Sequence, residues 1–148
     1  MEIPRRLAVL LAVATLLSAC AAGPKYEAVS DSFPPVASGK GRIFFYRPAV
    51  FFGDGVQPNI NLNGTVVGAS QPGGFFFVDR DPGDYEVLTS TEVDEKLSLT
   101  LNDAQVRYVK MTIQMGLLVG RVIPTLVDPA VGLQELKGLS YTGDSVLK

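Results

Sequence analysis

Hydrophobic residues follow three textures along the chain. Leu7 to Leu17 is a continuous apolar run broken only by Thr15, residues 21–40 carry scattered apolar positions among Gly, Pro and Ser, and short strand-like runs begin at Gly41. Ile43, Phe44, Phe45 and Tyr46 are strand formers without a polar interruption, which predicts a strand covered on both faces, with Pro48 ending it or placing it at an edge. Residues 49–57 read as a loop in which Phe51 and Phe52 precede Gly53-Asp54-Gly55. Ile60 and Leu62 alternate with Asn59, Asn61 and Asn63. The pair Asn63-Gly64 before Thr65, Val66 and Val67 then predicts a two-residue hairpin turn with both central residues at positive φ.

After a turn over residues 68–74, Phe75-Phe76-Phe77-Val78 predicts a further strand. Residues 79–84, with Pro82 and Gly83 in favoured turn places, predict the next reversal. Tyr85, Val87 and Thr89 alternate with Glu86, Leu88 and Ser90 in a further strand, and Leu97, Leu99 and Leu101 alternate with Ser98, Thr100 and Asn102, the signature of a half-buried strand. A longer strand follows the turn at residues 102–104, and a last one is expected around Leu117 to Ile123. Asp128-Pro129 has the form of a helix cap and first turn, so residues 129–137 should be a short helix stopped by Gly138.

This pattern predicts a mainly β protein: an antiparallel β-sandwich or small barrel of about seven strands with one short C-terminal helix. The expected organisation is a leader over residues 1–19, a flexible tether over 20–40, the sandwich over 41–138 and a loose tail over 139–148. The tether follows from composition, since Gly23, Pro24, Ser30, Ser32, Pro34, Pro35, Ser38 and Gly39 bury too little surface to offset chain entropy.

Arg5 and Arg6 precede an apolar run too short to span a bilayer, which needs about 20 residues, and the run ends at Ser18-Ala19-Cys20. Leu17-Ser18-Ala19-Cys20 resembles the bacterial lipoprotein lipobox. The resemblance implies cleavage between Ala19 and Cys20, diacylglycerol on the Cys20 sulfur and a further fatty acyl group, such as palmitate, on the new amino terminus. Ala21, where enterobacterial lipoproteins kept at the inner membrane carry Asp, implies the periplasmic face of the outer membrane. Cys20 is the sole cysteine, which excludes disulfides within the chain.

Loss of Arg5, Arg6 and Glu2 with the leader moves the net charge from −2 to about −3, and nothing basic invites nucleic acid. The absence of histidine removes Ser-His-Asp and Cys-His catalysis and the usual zinc ligands. No catalytic residue, cofactor or metal is assigned, and the chain is expected not to be an enzyme. Asp79, Asp81 and Asp84 have the short spacing a calcium loop uses, but Pro82 sits among them and Asp is favoured in plain turns.

The order Gly41-Arg42-Ile43-Phe44-Phe45-Tyr46-Arg47-Pro48, Asn63-Gly64, Phe77-Val78, Pro82-Gly83-Asp84-Tyr85, Tyr108-Val109-Lys110 and Glu135-Leu136 resembles a bacterial lipoprotein family, domain of unknown function 2846. Pro82-Gly83-Asp84-Tyr85 is also similar to small sandwich modules named after a Pro-Glu-Gly-Ala motif, which implies surface or carbohydrate binding. Neither resemblance brings a catalytic residue. The candidate contacts for an envelope protein or a glycan (peptidoglycan or polysaccharide) are therefore the aromatics Phe51, Phe52 and Phe76, with Arg47 beside them, while filling of the core is the competing use of the rings.

Overall fold

The computed structural model describes residues 20–143, so the leader, including Ala19, and residues 144–148 lie outside the described residues. Nine strands form two sheets: β1 (Gly41–Arg47), β2 (Asn59–Leu62), β3 (Thr65–Ala69), β4 (Gly74–Arg80), β5 (Gly83–Ser90), β6 (Asp94–Leu101), β7 (Val106–Gln114), β8 (Arg121–Val127) and β9 (Ser140–Tyr141). One sheet has the order β8-β7-β1-β4-β9 and the other β3-β2-β5-β6. The result is an open sandwich rather than a closed barrel.

The sheets are not purely antiparallel, because β1 pairs β7 in parallel and β4 pairs β9 in parallel. These partners are far apart in sequence, so no hairpin dictates their direction. The chain leaves the first sheet for β2 and β3, returns for β4, leaves again for β5 and β6, and re-enters beside β1.

Every residue of β1 is buried, as its unbroken apolar run predicts. Pro48 ends this strand, which is the central one of its sheet. The other proline of the sheet, Pro124, lies in the edge strand β8, where a missing N–H donor costs no ladder bond on the open side. Ile43 and Phe45 face the second sheet, Phe45 in register with Val109 of β7 and Phe76 of β4, and meet a core that includes Ile60, Leu62, Val87, Leu99 and Leu101. Asn63 (φ 48°) and Gly64 (φ 80°) make the predicted hairpin turn, and the β2–β3 register shifts by a bulge at Ile60/Asn61.

Phe44 and Tyr46 point the other way and are covered by a third, partial layer. A short helix α1 (Tyr26–Val29), a 3₁₀ turn at Ser30–Ser32 and Phe33 lie over one half of this face. The helix α2 (Pro129–Leu136), capped by Asp128 accepting from the Ala130 N–H at 2.9 Å, lies over the other. Phe33 meets Phe75, Phe77 and Tyr141 with ring centroids 6.2, 5.0 and 5.5 Å away, and Phe44 stacks on Tyr108 at 5.3 Å. Arg42 lies over the Phe77 ring while its guanidinium bonds Asp79 at 2.7 and 2.8 Å and the Pro34 carbonyl at 2.9 Å.

Two sequence expectations are corrected here. Residues 21–40 are not a free arm: the Tyr26 N–H donates to Leu139 O, the Tyr141 N–H donates to Pro24 O, and Val29 is buried. Tyr26, Val29 and Phe33 are few, but the aromatic sheet face beneath them supplies the apolar partner that composition alone does not reveal. Residues 139–143 are not loose either, since β9 extends the sheet and Leu139, Ser140 and Tyr141 are buried.

Candidate contact surface at one end of the sandwich

β1 and β7 run parallel, so the loops that follow them leave the sandwich at the same end. β4 starts there too, since Gly74 is opposite Arg47. The β1–β2 loop presents Val50, Phe51 and Phe52, with Phe51 fully exposed and Phe52 half exposed. The β7–β8 loop presents Met115, Leu117, Leu118 and Val119, of which Met115, Leu117 and Leu118 are 83, 89 and 92 % exposed. The two loops meet on Ile113: a Cβ added to Gly53 would lie 2.1 Å from Ile113 Cδ1, and one added to Gly120 would lie 2.8 Å from the same atom. Between Phe52, Val50, Pro48 and the strand β7 lies a mostly apolar groove of about 210 Å³.

Each loop is held by a single charged side chain. Arg47 is only 1 % exposed, and its guanidinium donates to three carbonyls: Val56 O at 2.5 Å, Gly53 O at 2.8 Å and Ser70 O at 3.0 Å. Burial pulls its pKa down while the nearby Asp54 opposes the shift. The Glu92 carboxylate accepts from the backbone N–H of Leu117 and Leu118 at 2.8 and 2.9 Å and from Arg121 Nε at 2.9 Å. These bonds, with that from Leu118 the strongest, bring the Glu92 carboxyl from its ordinary 4.5 to about 2. Gly116 makes the approach possible, because a Cβ there would sit 2.1 Å from Glu92 Oε1 and 1.8 Å from Val119 O. A cation thus organises the carbonyls of one loop and an anion the amides of the other, leaving apolar side chains outward on shaped backbones.

A depressed carboxyl pKa stabilises the fold above the unfolded value, and that contribution fades as pH falls through the folded value. Glu92's contribution to stability is therefore expected to be complete above pH 4.5 and to be lost progressively between 4.5 and about 2, while within the folded protein the carboxylate keeps the Leu117 and Leu118 amides until the pH nears 2. Amide NMR shifts of these two residues across that range check it. The Glu92→Gln protein should show the loosened amides already at pH 7, because it loses the charged pairing with Arg121.

The sequence-selected contacts divide. Phe51 and Phe52 are at the surface, but Phe76 is 5 % exposed and stacks on Phe45 with centroids 5.3 Å apart, so it is a core residue. Arg47 is buried, and its guanidinium donates to loop carbonyls rather than facing a ligand. Cys20 is exposed at the start of the described chain, and Ala21 donates its N–H to Pro72 O at 3.1 Å in the turn before β4. The sequence pattern does not point to Glu92, and the strand it predicts over Leu117 to Ile123 is instead the loop over residues 115–119 followed by β8 from Arg121. The signal was present in Gly116 and Gly120, which bracket Leu117-Leu118-Val119.

Asp79, Asp81 and Asp84 do not converge. They bond Arg42, Lys40 and Thr100 respectively, and among the described residues no group of three His, Cys, Asp or Glu side chains is placed to hold a metal. A separate cluster ties α2 to the sheet: Glu135 accepts from Tyr46 at 2.5 Å and from Lys110 at 2.6 Å. Burial and then the bond to Glu135 push the Tyr46 hydroxyl pKa upward. Burial also raises the Glu135 carboxyl, but the bonds from Lys110 and Tyr46 outweigh it and the net shift is downward. Glu135→Ala is expected to destabilise the protein by about 2 kcal/mol, since it strands a half-buried ammonium and a buried hydroxyl; urea denaturation measures it.

The fold and this end together define a two-sheet β protein with an organised apolar surface. The chain belongs to the family described as Protein of unknown function (DUF2846), whose model matches residues 37–122, more than half of the sequence. No curated protein and no solved structure matches it.

Proposed function

We propose that this chain is a non-enzymatic, lipid-anchored protein of the bacterial cell envelope, held at the periplasmic face of the outer membrane, whose sandwich is a binding or assembly module. The observation that carries the binding role is the clamped apolar end. Exposed Phe51, Leu117 and Leu118 cost solubility, yet Arg47 and Glu92 hold their loops in fixed shapes, which lowers the ordering cost of contact. The anchor rests on Leu17-Ser18-Ala19-Cys20, and the lack of histidine supports a non-catalytic role.

A glycan-binding role is the second reading. It is favoured by a surface groove of about 410 Å³ at the opposite end, where Tyr85 lies among Asn63, Asp84, Glu86, Ser98 and Thr100, an aromatic ring among polar groups.

Chemical crosslinking in intact envelopes, followed by mass spectrometry, separates these readings. One dominant protein partner, lost in the Cys20→Ala chain, supports assembly. Enrichment of glycan fragments without a protein partner replaces it with the second reading. Unchanged membrane retention and N-terminal mass in Cys20→Ala would remove the lipid anchor from the proposal.

A further inference from the structure

We infer that the apolar end of the sandwich rests on the same membrane that holds the anchor, with Phe51, Phe52, Leu117 and Leu118 inserted at the boundary of headgroups and acyl chains. The inference rests on the anchored reading above and names what its apolar surface contacts.

The argument is one of placement. The described chain starts at Cys20, and Ala21 is fastened to Pro72 in the turn between β3 and β4. That turn is at the end of the sheet where β1 and β7 finish, because the Gly73 N–H bonds Arg47 O and Gly74 pairs Arg47. Adjacent strands lie about 4.8 Å apart, so the β4 start and the β7 finish, two strand spacings from each other, are separated by about 10 Å across the sheet. An anchor on Cys20 has no long arm to span, since the residues after it are packed on the sheet. It must hold this end, and not the opposite one, next to lipid.

The residues exposed there suit that environment. Phe and Leu are the side chains that amphipathic surface elements bury a few ångströms into the headgroup region. The two arginines beside these loops are committed to the protein itself: Arg47 to three carbonyls and Arg121 to Glu92. Contact is thus expected to depend on apolar burial and to persist on uncharged lipid. The polar groove beside Tyr85 then points away from the membrane.

The chain contains no tryptophan, so a single introduced one reports alone. The lipidated protein carrying Leu118→Trp, Phe51→Trp or Tyr85→Trp would be reconstituted in phosphatidylcholine vesicles containing acyl-brominated lipid. Residues 51 and 118 are exposed, so the fold tolerates the ring. The expected result is a blue shift and at least twofold quenching for Leu118→Trp and Phe51→Trp, with Tyr85→Trp unquenched. Equal quenching at all three positions, or none at 51 and 118 while mass spectrometry finds lipid on Cys20, would overturn the inference and leave the anchor intact. If Cys20 carries no lipid, the anchored reading fails on that mass alone. The same vesicles added to the Cys20→Ser chain then decide: quenching at 118 retains the membrane contact, and its absence, or a concentration-dependent dimer that shields residue 118, overturns it.

Discussion

A chain cut back to residues 37–122, the span of the family match, is expected not to fold. It would lack Val29, Leu136, Leu139 and Tyr141, all buried in the outer layer of the five-stranded sheet, as well as Phe33 and most of β8. At about 2 kcal/mol for each fully buried apolar side chain, those four alone represent on the order of 8 kcal/mol. That is comparable to the whole stability of a domain, about 5–15 kcal/mol. Phe44, Phe75, Phe77 and Tyr108 would face water as one aromatic surface, so insolubility should accompany the loss of structure. Circular dichroism and size-exclusion chromatography of chains spanning 37–122 and 20–143 test it, the longer one being expected to remain folded and monodisperse. A soluble 37–122 chain with the same cooperative melt would show that the outer layer is dispensable.

Arg47→Leu should cost about 3–5 kcal/mol although Leu is the more apolar residue. The guanidinium supplies donors to Val56, Gly53 and Ser70 carbonyls that β-sheet ladders do not reach, and leucine supplies none. Gly53 O would keep the Val56 N–H, but the buried Ser70 O and the part-buried Val56 O would lose their guanidinium donors at a desolvation cost, and the β1–β2 loop would open to find water. Thermal unfolding measures the loss. Hydrogen exchange localises it: residues 48–58 should deprotect first, before the Phe45 and Phe76 core. Arg47→Lys should recover only part of the stability, because a single ammonium cannot span three carbonyls in a fixed fork. A wild-type melting profile for Arg47→Leu would mean that the loop is held by other contacts.

Both results bear on how the chain specifies its shape. Strand positions were readable because period-two alternation and turn residues act locally: Asn63-Gly64, Asp128-Pro129 and the alternating leucines of β6 formed the elements their neighbours in sequence predicted. The buried run Ile43 to Tyr46 likewise announced a strand with both faces covered. What covered the second face was not readable, since Tyr26, Val29 and Phe33, although spaced i, i+3 and i+7 as on one helix face, stand in a short run among Glu27, Ser30, Asp31 and Ser32 between Pro24 and Pro34. Their burial depends on an aromatic surface assembled from β1, β4 and β9.

The candidate site divides along the same line. Phe51 and Phe52 beside a glycine turn mark one loop from composition, whereas for Phe76 the sequence leaves contact and core filling open and for Arg47 it suggests a strand-end contact, and the strand faces send both inward. Strand alternation says that adjacent rings point oppositely; it does not say which face is the interior. Glu92 and Leu117 lie 25 positions apart in the chain and meet only because β6, β7 and β8 return them to one end. By itself, then, the sequence determined the β class, the turns, the helix cap and the lipobox-like cysteine, all properties of residues within a few positions of one another. The tertiary structure alone decided the parallel pairing of β1 with β7, the docking of residues 21–33 and the gathering of two apolar loops at one end of the sandwich, because those depend on surfaces that exist only after distant strands have paired.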